Sequence, residues 1–236
     1  MALPTTQVPR SNLVMFGNTR AYDLLKKFAL SAGAGLFGVA DITTIRDDFQ
    51  LPKGTRDILD KAVCLGAGLS SLVLSEINGE PTKLYYHHYK TANLFLDQLA
   101  FAVANWIQEL GFQALPIPAS QITDWDLQKA HLSHKKIGHL AGLGWLGRNN
   151  LLVSKKFGAQ FRMVTVLTNM DLKVDKPVVE DCGKCSACLA SCPAAAIQND
   201  PKDFKHLLCF EKVKSFQRQN IVGQFVCGFC VKACGK

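Results

Sequence analysis

The spacing of apolar residues along this chain predicts helices and strands in alternation. In the stretch 89–110, apolar side chains recur every three or four positions, which places them on one face of a helix. Short runs of apolar and β-branched residues, such as 160–168, instead predict buried strands. Helices are expected at residues 18–33, 89–110 and 127–140. Strands are expected at residues 36–45, 61–70, 150–154 and 160–168, with an extended edge segment at 114–120.

This alternation ends near residue 177. Helices and strands over residues 19–176 predict one α/β or α+β domain. Residues 1–18 contain two prolines and are expected to form a poorly structured arm. Residues 177–236 consist of short segments rich in cysteine, which predict a second, smaller domain.

Composition narrows the class of protein. Hydrophobic residues make up 48% and charged residues 19% of the chain, which is typical of a globular protein. No apolar run approaches the ~20 residues of a membrane span, and no export signal is recognisable, so a cytoplasmic location without membrane contact is expected. The net charge of +8 fits an ordinary basic surface, docking of an acidic electron donor, or an anionic substrate such as RNA.

The cysteines are concentrated near the C-terminus. Eight of the nine lie between Cys182 and Cys234, which indicates metal binding and not scattered disulfides. The segment 182–193 matches the spacing C-x₂-C-x₂-C-x₃-C-P, in which three thiolates bind one [4Fe–4S] cluster and the fourth binds another. Pro193 predicts a helical turn over 194–197, whose N-terminus would face an anionic cluster.

A second cysteine group completes two ligand sets. It consists of Cys209 followed by Cys227, Cys230 and Cys234, the last three again at x₂ and x₃ spacing. Crossed ligation predicts one cluster on Cys182, Cys185, Cys188 and Cys234. It predicts the other on Cys192, Cys209, Cys227 and Cys230. Zinc is the alternative, because paired C-x₂-C is also a zinc spacing, but zinc requires neither the third cysteine nor the Cys-Pro pair.

Two further groups of reactive side chains have ordinary structural explanations. Cys64 lies within a predicted strand, where a buried small hydrophobe is the more common role than a reactive thiol. His131 and His134 are three residues apart, on one face of a predicted helix. They are candidate ligands or proton donors, but H-x-x-H alone lacks a third ligand, so hydrogen bonding within the fold is the alternative.

A glycine-rich block, Gly142, Gly144 and Gly147, reads literally as G-x-G-x-x-G. A dinucleotide site requires a strand before this motif and a helix after it. Here a helix is predicted before it and a strand after it, so we do not expect NAD or NADP to bind. The glycines are explained either by a bound cofactor or by a tight corner between helix and strand.

The run 139–172, followed by the cysteine segment 182–197, resembles the epoxyqueuosine reductase family, and reductive dehalogenases that use a corrinoid share its general plan. The resemblance implies a nitroreductase-like domain that binds cobalamin, joined to a ferredoxin-like domain with two [4Fe–4S] clusters. It implies that electrons pass from a low-potential donor, such as ferredoxin or flavodoxin, through the clusters to cobalamin and then to substrate. By this resemblance Gly142, Gly144, Trp145 and Gly147 would lie near the corrinoid.

One departure from the family concerns the proton donor. The family carries an Asp-Ser-Ala-Pro stretch ahead of the glycine block, and its aspartate is thought to supply the proton. Counting back without gaps places Gln128 there, and an amide is no acid. Asp124, Asp126 and His134 are the remaining candidates for this catalytic role.

The substrate follows less directly from the sequence. Because of Gln128, and because the printed sequence lacks the helical-repeat domain of many family members, we expect inefficient reduction of epoxyqueuosine in tRNA by this chain alone. We expect an oxidoreductase that acts on a small molecule or modified nucleoside, with no DNA partner. The alternative is a ferredoxin-like electron carrier without substrate chemistry of its own.

Overall fold

The computed structural model describes residues 17–125 and 128–235, and none of its helices in these ranges is long and apolar enough to cross a membrane. The chain divides into two compact units. The first unit contains the described residues up to Ala67 together with Asn93–Leu143 and Met163–Val178. The second unit contains Gly68–Ala92, Gly144–Arg162 and the chain from Val179 onward.

Helices and strands occur in both units. The helices are α1 (Asn18–Ser31), α2 (Lys53–Asp57), α3 (Ser71–Ser75), α4 (Lys83–Glu109), α5 (His134–Leu140), α6 (Ala187–Ser191), α7 (His206–Arg218) and α8 (Phe229–Ala233). The strands are β1 (Leu36–Asp41), β2 (Lys61–Gly68), β3 (Ala114–Ile117), β4 (Trp145–Leu146), β5 (Leu152–Val153) and β6 (Phe161–Thr168). Short 3₁₀ turns lie at Arg46–Asp48 and Pro201–Asp203.

A four-stranded sheet in the order β1-β2-β6-β3 organises the first unit. Strands β1 and β2 are antiparallel, as are β3 and β6. Asp60 N donates to Thr168 O at one end of β2, and Leu69 N donates to Gln160 O at the other, so β2 and β6 also run antiparallel. Antiparallel strands with packed helices confirm the predicted mixed helix–sheet class.

The core of the first unit consists of the apolar stripes that the sequence predicts. Leu25 of α1, Leu96 and Ile107 of α4 and Val164 of β6 are fully buried in one cluster. Burial of one such side chain contributes roughly 1.5–3 kcal/mol to stability. The helices are therefore held against the sheet mainly by apolar contact.

The predicted helix boundaries are partly wrong, for local reasons. Helix α4 begins at Lys83 instead of near residue 89, because the Thr82 hydroxyl accepts a hydrogen bond from Tyr85 N and caps it. The predicted helix 127–140 forms only from His134, after the Ser133 cap. Ahead of it, Asp124 and Lys129 exchange backbone hydrogen bonds across a turn, and this pairing is incompatible with a helix.

The second unit has a small core of its own. Its buried apolar residues include Leu74, Ile77, Tyr85 and Phe216. Strands β4 and β5 pair antiparallel, with Trp145 opposite Val153. The unit contains the cysteine segment from Val179 onward, together with 68–92 and 144–162. The division into folding domains at residues 19–176 and 177–236 stays a prediction.

Candidate metal centre and glycine block

Four of the cysteines influence one another electrostatically despite their separation in sequence. Burial raises the pKa of the Cys188 thiol. The thiols that raise it further are those of Cys234, Cys182 and Cys185. Burial also raises the pKa of Cys234, and Cys182 and Cys185 again contribute. These four thiols form the first predicted ligand set.

The other four cysteines form a second electrostatic group. Burial raises the pKa of the Cys227 thiol to about 11, and the thiols of Cys209 and Cys192 contribute to this shift. Burial raises the pKa of Cys230 as well. The thiols that act on it are, in falling order, those of Cys227, Cys209, Cys192 and Cys188. Cys188, from the first set, acts most weakly, so the two sets are neighbours.

The described His, Cys, Asp and Glu side chains form no group of three that could hold a single metal ion. A single zinc ion would bring four ligands to about 2.0–2.3 Å from one point. In a [4Fe–4S] cluster each of the four thiolates binds a different iron. The four sulfur atoms therefore surround the whole cluster and do not converge on one point.

A glycine with positive φ follows the first cysteine of both C-x₂-C segments. Gly183 follows Cys182 with φ +49°, and Gly228 follows Cys227 with φ +85°. In the first turn Cys185 N donates to Cys182 O at 2.9 Å. Positive φ costs glycine little, so glycine is well suited to the position after the first cysteine of each segment.

The helical turn predicted after Cys192 is absent. Pro193 and Ala194 form a turn, and Ala195 takes φ +47°, which a right-handed helix cannot accommodate. In its place, Ala196 N donates a hydrogen bond to Cys192 Sγ at 3.4 Å. One backbone N–H therefore faces a ligand sulfur where a helix terminus was expected.

Arg148 ties the glycine block to the first cysteine loop. Its Nη2 donates to Gly183 O at 2.9 Å, and its Nη1 donates to Cys185 O at 2.8 Å. Its Nε donates to Asn199 O at 2.8 Å. A planar guanidinium thus satisfies three main-chain carbonyls at once. Sequence reasoning missed this role, since an arginine that binds distant carbonyls leaves no local pattern.

Cys234 is held in place by the turn that precedes β6. Ala159 N donates to Cys234 O at 2.8 Å. Gly158 has φ +58°, and a Cβ on it would overlap the same Cys234 oxygen. Lys232, two residues before Cys234, is also held, because its Nζ donates to Ile77 O at 2.7 Å. The last cysteine of the chain therefore has a defined position.

The glycine block follows α5 and opens β4, which confirms its predicted context. Gly142 has φ +72°, and its missing Cβ would lie 2.7 Å from Lys176 O. A Cβ on Gly144 would overlap Val153 O, and one on Gly147 would lie 2.6 Å from Val153 Cγ2. Close approach of backbone atoms at Gly142 and Gly144, and of side chains at Gly147, accounts for the three glycines, so a tight corner explains them without a bound cofactor.

Two polar atoms of the block are left without partners. The indole Nε1 of Trp145 and the amide Nδ2 of Asn149 are buried and make no hydrogen bond to the described residues. A buried donor without an acceptor costs about 1–3 kcal/mol. These two N–H groups are the features of the block that a bound group would satisfy.

His134 makes hydrogen bonds through both ring nitrogens. Nε2 donates to Pro118 O at 2.8 Å, and Nδ1 then accepts from Thr165 Oγ1 at 2.8 Å. His131 Nδ1 lies 3.1 Å from Gln50 O. The histidines are thus bonded within the fold, which is the alternative that the sequence left open. A catalytic role for His134 stays a prediction.

A cleft in the first unit contains Gln128. Its volume is about 680 Å³, and Asp47, Asp48 and Lys136 supply charged groups to its wall. Gln128 takes φ +51°, an uncommon conformation for a residue with a side chain. Of the proton-donor candidates, Asp124 and His134 are not among the described residues that line the cleft, and Asp126 lies outside the described residues.

No protein-family model matches the chain. Segments of it are similar to curated epoxyqueuosine reductases. The identity is 31% over 110 residues with the Aliivibrio fischeri protein, covering 47% of this chain and 27% of that protein. It is 32% over 131 residues with the Pseudomonas aeruginosa protein, covering 52% and 33%. It is 38% over 71 residues with the Escherichia coli protein, covering 30% and 19%. The chain thus spans a third or less of the curated relatives that it matches.

Solved structures share the fold. The catabolic reductive dehalogenase NpRdhA matches with a TM-score of 0.66 at 18% identity, over 78% of this chain and 26% of that chain. Epoxyqueuosine reductase from Streptococcus thermophilus matches with a TM-score of 0.60 at 17% identity, over 89% of this chain and 64% of that one. The resemblance predicted from the sequence is confirmed, and the relatives are named as enzymes.

Proposed function

We propose that this chain is an iron–sulfur oxidoreductase in which two [4Fe–4S] clusters deliver electrons to a reduction step. The observation that carries the proposal is the grouping of eight thiols into the two sets that crossed ligation requires. Such clusters transfer one electron at a time. The names of the curated relatives support the assignment to reductases.

The donor set fits the clusters chemically. The first cluster would be held by Cys182, Cys185, Cys188 and Cys234. The second would be held by Cys192, Cys209, Cys227 and Cys230. Thiolates are the ligands that iron–sulfur clusters prefer, and each thiol releases its proton when it binds iron. Burial raises the pKa of Cys227, and the positive charge of Lys212 opposes this rise, so Lys212 favours the thiolate form in the second set.

Cobalamin is the cofactor proposed to receive these electrons, and one solved neighbour is a reductive dehalogenase described in terms of B12-dependent dehalogenation. When bound, it would supply a cobalt centre able to reduce an unreactive carbon–heteroatom bond. Trp145 would offer its unpartnered indole N–H to the bound corrinoid. The three glycines give no separate support, because the fold itself explains them.

The proposed substrate is a small molecule or a modified nucleoside, with the cleft beside Gln128 as the candidate site. One solved neighbour is an epoxyqueuosine reductase with an epoxyqueuosine-modified tRNA stem loop, which makes that nucleoside the first to test. Gln128 would orient a substrate oxygen through its amide, which can both donate and accept a hydrogen bond. The proton would then come from another group, for which Asp124, Asp126 and His134 are the candidates. A ferredoxin- or flavodoxin-type donor would supply the electrons.

A single-turnover experiment tests the proposal. Anaerobic protein with assembled clusters is reduced chemically, mixed with cobalamin, and offered an epoxyqueuosine-modified stem loop or the free nucleoside. We expect the cob(II)alamin electron paramagnetic resonance signal to change on binding, and the free nucleoside to be converted faster than the stem loop. Reducible clusters without any change in the cobalamin signal and without conversion would instead assign the chain as an electron carrier.

A further inference from the structure

Asn149 presents a hydrogen-bond donor that the protein itself does not use. The side chain is 4% exposed. Its Oδ1 accepts a hydrogen bond from Leu151 N at 3.2 Å, and this contact fixes which end of the carboxamide is oxygen. The amide Nδ2 is buried and has no hydrogen-bond partner among the described residues.

One predicted metal ligand, Cys182, lies close to the same part of the chain. Measured from the position that a Cβ on Gly147 would occupy, Asn149 Oδ1 lies at 2.8 Å and Cys182 Sγ at 3.6 Å. The carboxamide oxygen of Asn149 and the thiol of Cys182 therefore both lie beside Gly147, and Nδ2 is the other arm of the same carboxamide. The turn is fixed by Gly147 N, which donates to Leu151 O at 2.9 Å.

We propose that Asn149 Nδ2 donates a hydrogen bond to a sulfur of the cluster held by Cys182, Cys185, Cys188 and Cys234, and thereby raises its reduction potential. The inference rests on the proposed function, since it requires that cluster. Reduction adds negative charge to the cluster, and a hydrogen bond to its sulfur stabilises the reduced state more than the oxidised one. The same bond satisfies the buried N–H, which otherwise costs about 1–3 kcal/mol.

The second cluster provides an internal reference. Its predicted ligands, Cys192, Cys209, Cys227 and Cys230, are not among the three heavy atoms nearest to the Cβ position on Gly147, whereas Cys182 Sγ is. Removing the donor should therefore shift one of the two midpoint potentials and leave the other in place. A general loosening of the protein would move both.

The test is a redox titration of the anaerobic protein with assembled clusters, followed by electron paramagnetic resonance. In Asn149→Leu we expect the equilibrium constant for reduction of one cluster to fall about tenfold. For a one-electron reduction this lowers the midpoint potential by about 59 mV. Asn149→Asp keeps the acceptor for Leu151 N but replaces the donor by an acid, so the same midpoint should fall further. Two unchanged midpoints in variants that retain their iron would overturn the inference.

A second measurement uses the unaltered protein, so it can be made even if the Asn149 variants do not take up their clusters. Protein prepared with asparagine labelled with ¹⁵N at the side-chain amide should show a weak ¹⁵N coupling to one reduced cluster in pulsed electron paramagnetic resonance. Absence of the coupling in protein with both clusters overturns the inference alone. Absence of iron and sulfide from the unaltered protein overturns the proposed function instead.

Discussion

Arg148 Nη1 donates a hydrogen bond of 2.8 Å to the main-chain oxygen of Cys185. Cys185 lies in the loop that would wrap the first cluster, and two more nitrogens of Arg148 bind Gly183 O and Asn199 O. One side chain from the glycine block therefore holds two points of the cluster loop and a third point, Asn199, further along the chain. These hydrogen bonds therefore connect the two segments on which the resemblance to the reductases rests, the glycine block and the cysteine loop.

Replacement of Arg148 by lysine tests this clamp. The change Arg148→Lys keeps the charge but replaces a planar fork with a single ammonium, so about two of the three hydrogen bonds should be lost. At about 1 kcal/mol each, the loop loses roughly 2 kcal/mol of support. We expect the visible absorbance of the assembled clusters to decay several-fold faster in chelator. Arg218→Lys, at an exposed position, is the control, and equal decay in both variants would contradict the role of Arg148.

Two glycine variants separate backbone strain from steric overlap. Gly79 and Gly158 both have positive φ, at +69° and +58°, but a Cβ on Gly79 meets nothing within 4 Å. Gly79→Ala should therefore cost only the strain, roughly 1–2 kcal/mol. Gly158→Ala adds an overlap with Cys234 O, which displaces a ligand of the first set. We expect about half of the iron to be lost from Gly158→Ala and none from Gly79→Ala, by elemental analysis; equal iron would refute the placement of Cys234.

Tyr22 and Asp175 form a hydrogen bond that stabilises the first unit. The Tyr22 hydroxyl donates to Asp175 at 3.0 Å, and Val39 N donates to the same carboxylate at 2.9 Å. Burial, and then Asp175, raises the pKa of Tyr22 far above its usual value. Tyr22→Phe should cost about 1.5–3 kcal/mol, as expected for a hydrogen bond to a charged group.

The pH dependence of this cost has a defined sign. Because the folded-state pKa of Tyr22 is raised, its contribution is complete below the unfolded value near 10 and declines as the pH rises above it. The free energies of unfolding in urea of the unaltered protein and of Tyr22→Phe should therefore differ by the full amount at pH 8 and by less at pH 10.5. Tyr86→Phe, which removes a half-buried hydroxyl without a hydrogen bond to the described residues, is the control. A difference that grows with pH would contradict the assignment.

The elements that the sequence predicts well are those whose signal is periodic. The stripe from Leu96 to Leu110 is continuous at helical spacing, so the body of α4 was predictable. Its first turns carry mixed aromatic and polar residues, and the Thr82 cap gives only a weak signal. The stretch before His134 is helical in composition, but pairing of Asp124 with Lys129 overrides that preference.

The same distinction holds at the site. The grouping of Cys234 with Cys182 could be predicted, because cluster ligation imposes a spacing on the sequence itself. The hydrogen bonds of Arg148 and the role proposed for Asn149 could not, because they depend on carbonyls and thiols that tertiary folding brings near. The glycines gave a real signal of close approach, but the atoms they approach, such as Val153 O, were not identifiable before the fold.

Cys64 should be chemically inert. Burial raises the pKa of its thiol to about 12, and the residue is fully buried in β2. Thiolate is the reactive form, so iodoacetamide at pH 8 should not label Cys64 in the folded protein and should label it after unfolding. Peptide mass spectrometry checks this, and Cys64→Ala should leave iron content unchanged. Labelling of folded protein at a rate typical of an exposed thiol would contradict the buried assignment.

Replacement of Cys192 should damage the second cluster and not the one held by its neighbours in sequence. Cys192 follows three ligands of the first set in sequence, yet its thiol acts on Cys209 and Cys227. Cys192→Ala should therefore weaken the second cluster and retain the first. Mössbauer spectra of the variant should keep the first cluster's signal, and Gly158→Ala should keep the other. Loss of the same signal in both variants would contradict crossed ligation.

The central claim is that eight thiols hold two [4Fe–4S] clusters, and iron and sulfide analysis tests it most directly. The protein is prepared without oxygen, its clusters are assembled with iron and sulfide, and unbound metal is removed by gel filtration. Two clusters require about eight irons and eight acid-labile sulfides per chain. Stoichiometric zinc without sulfide, in protein that cannot be assembled with iron, would contradict the account.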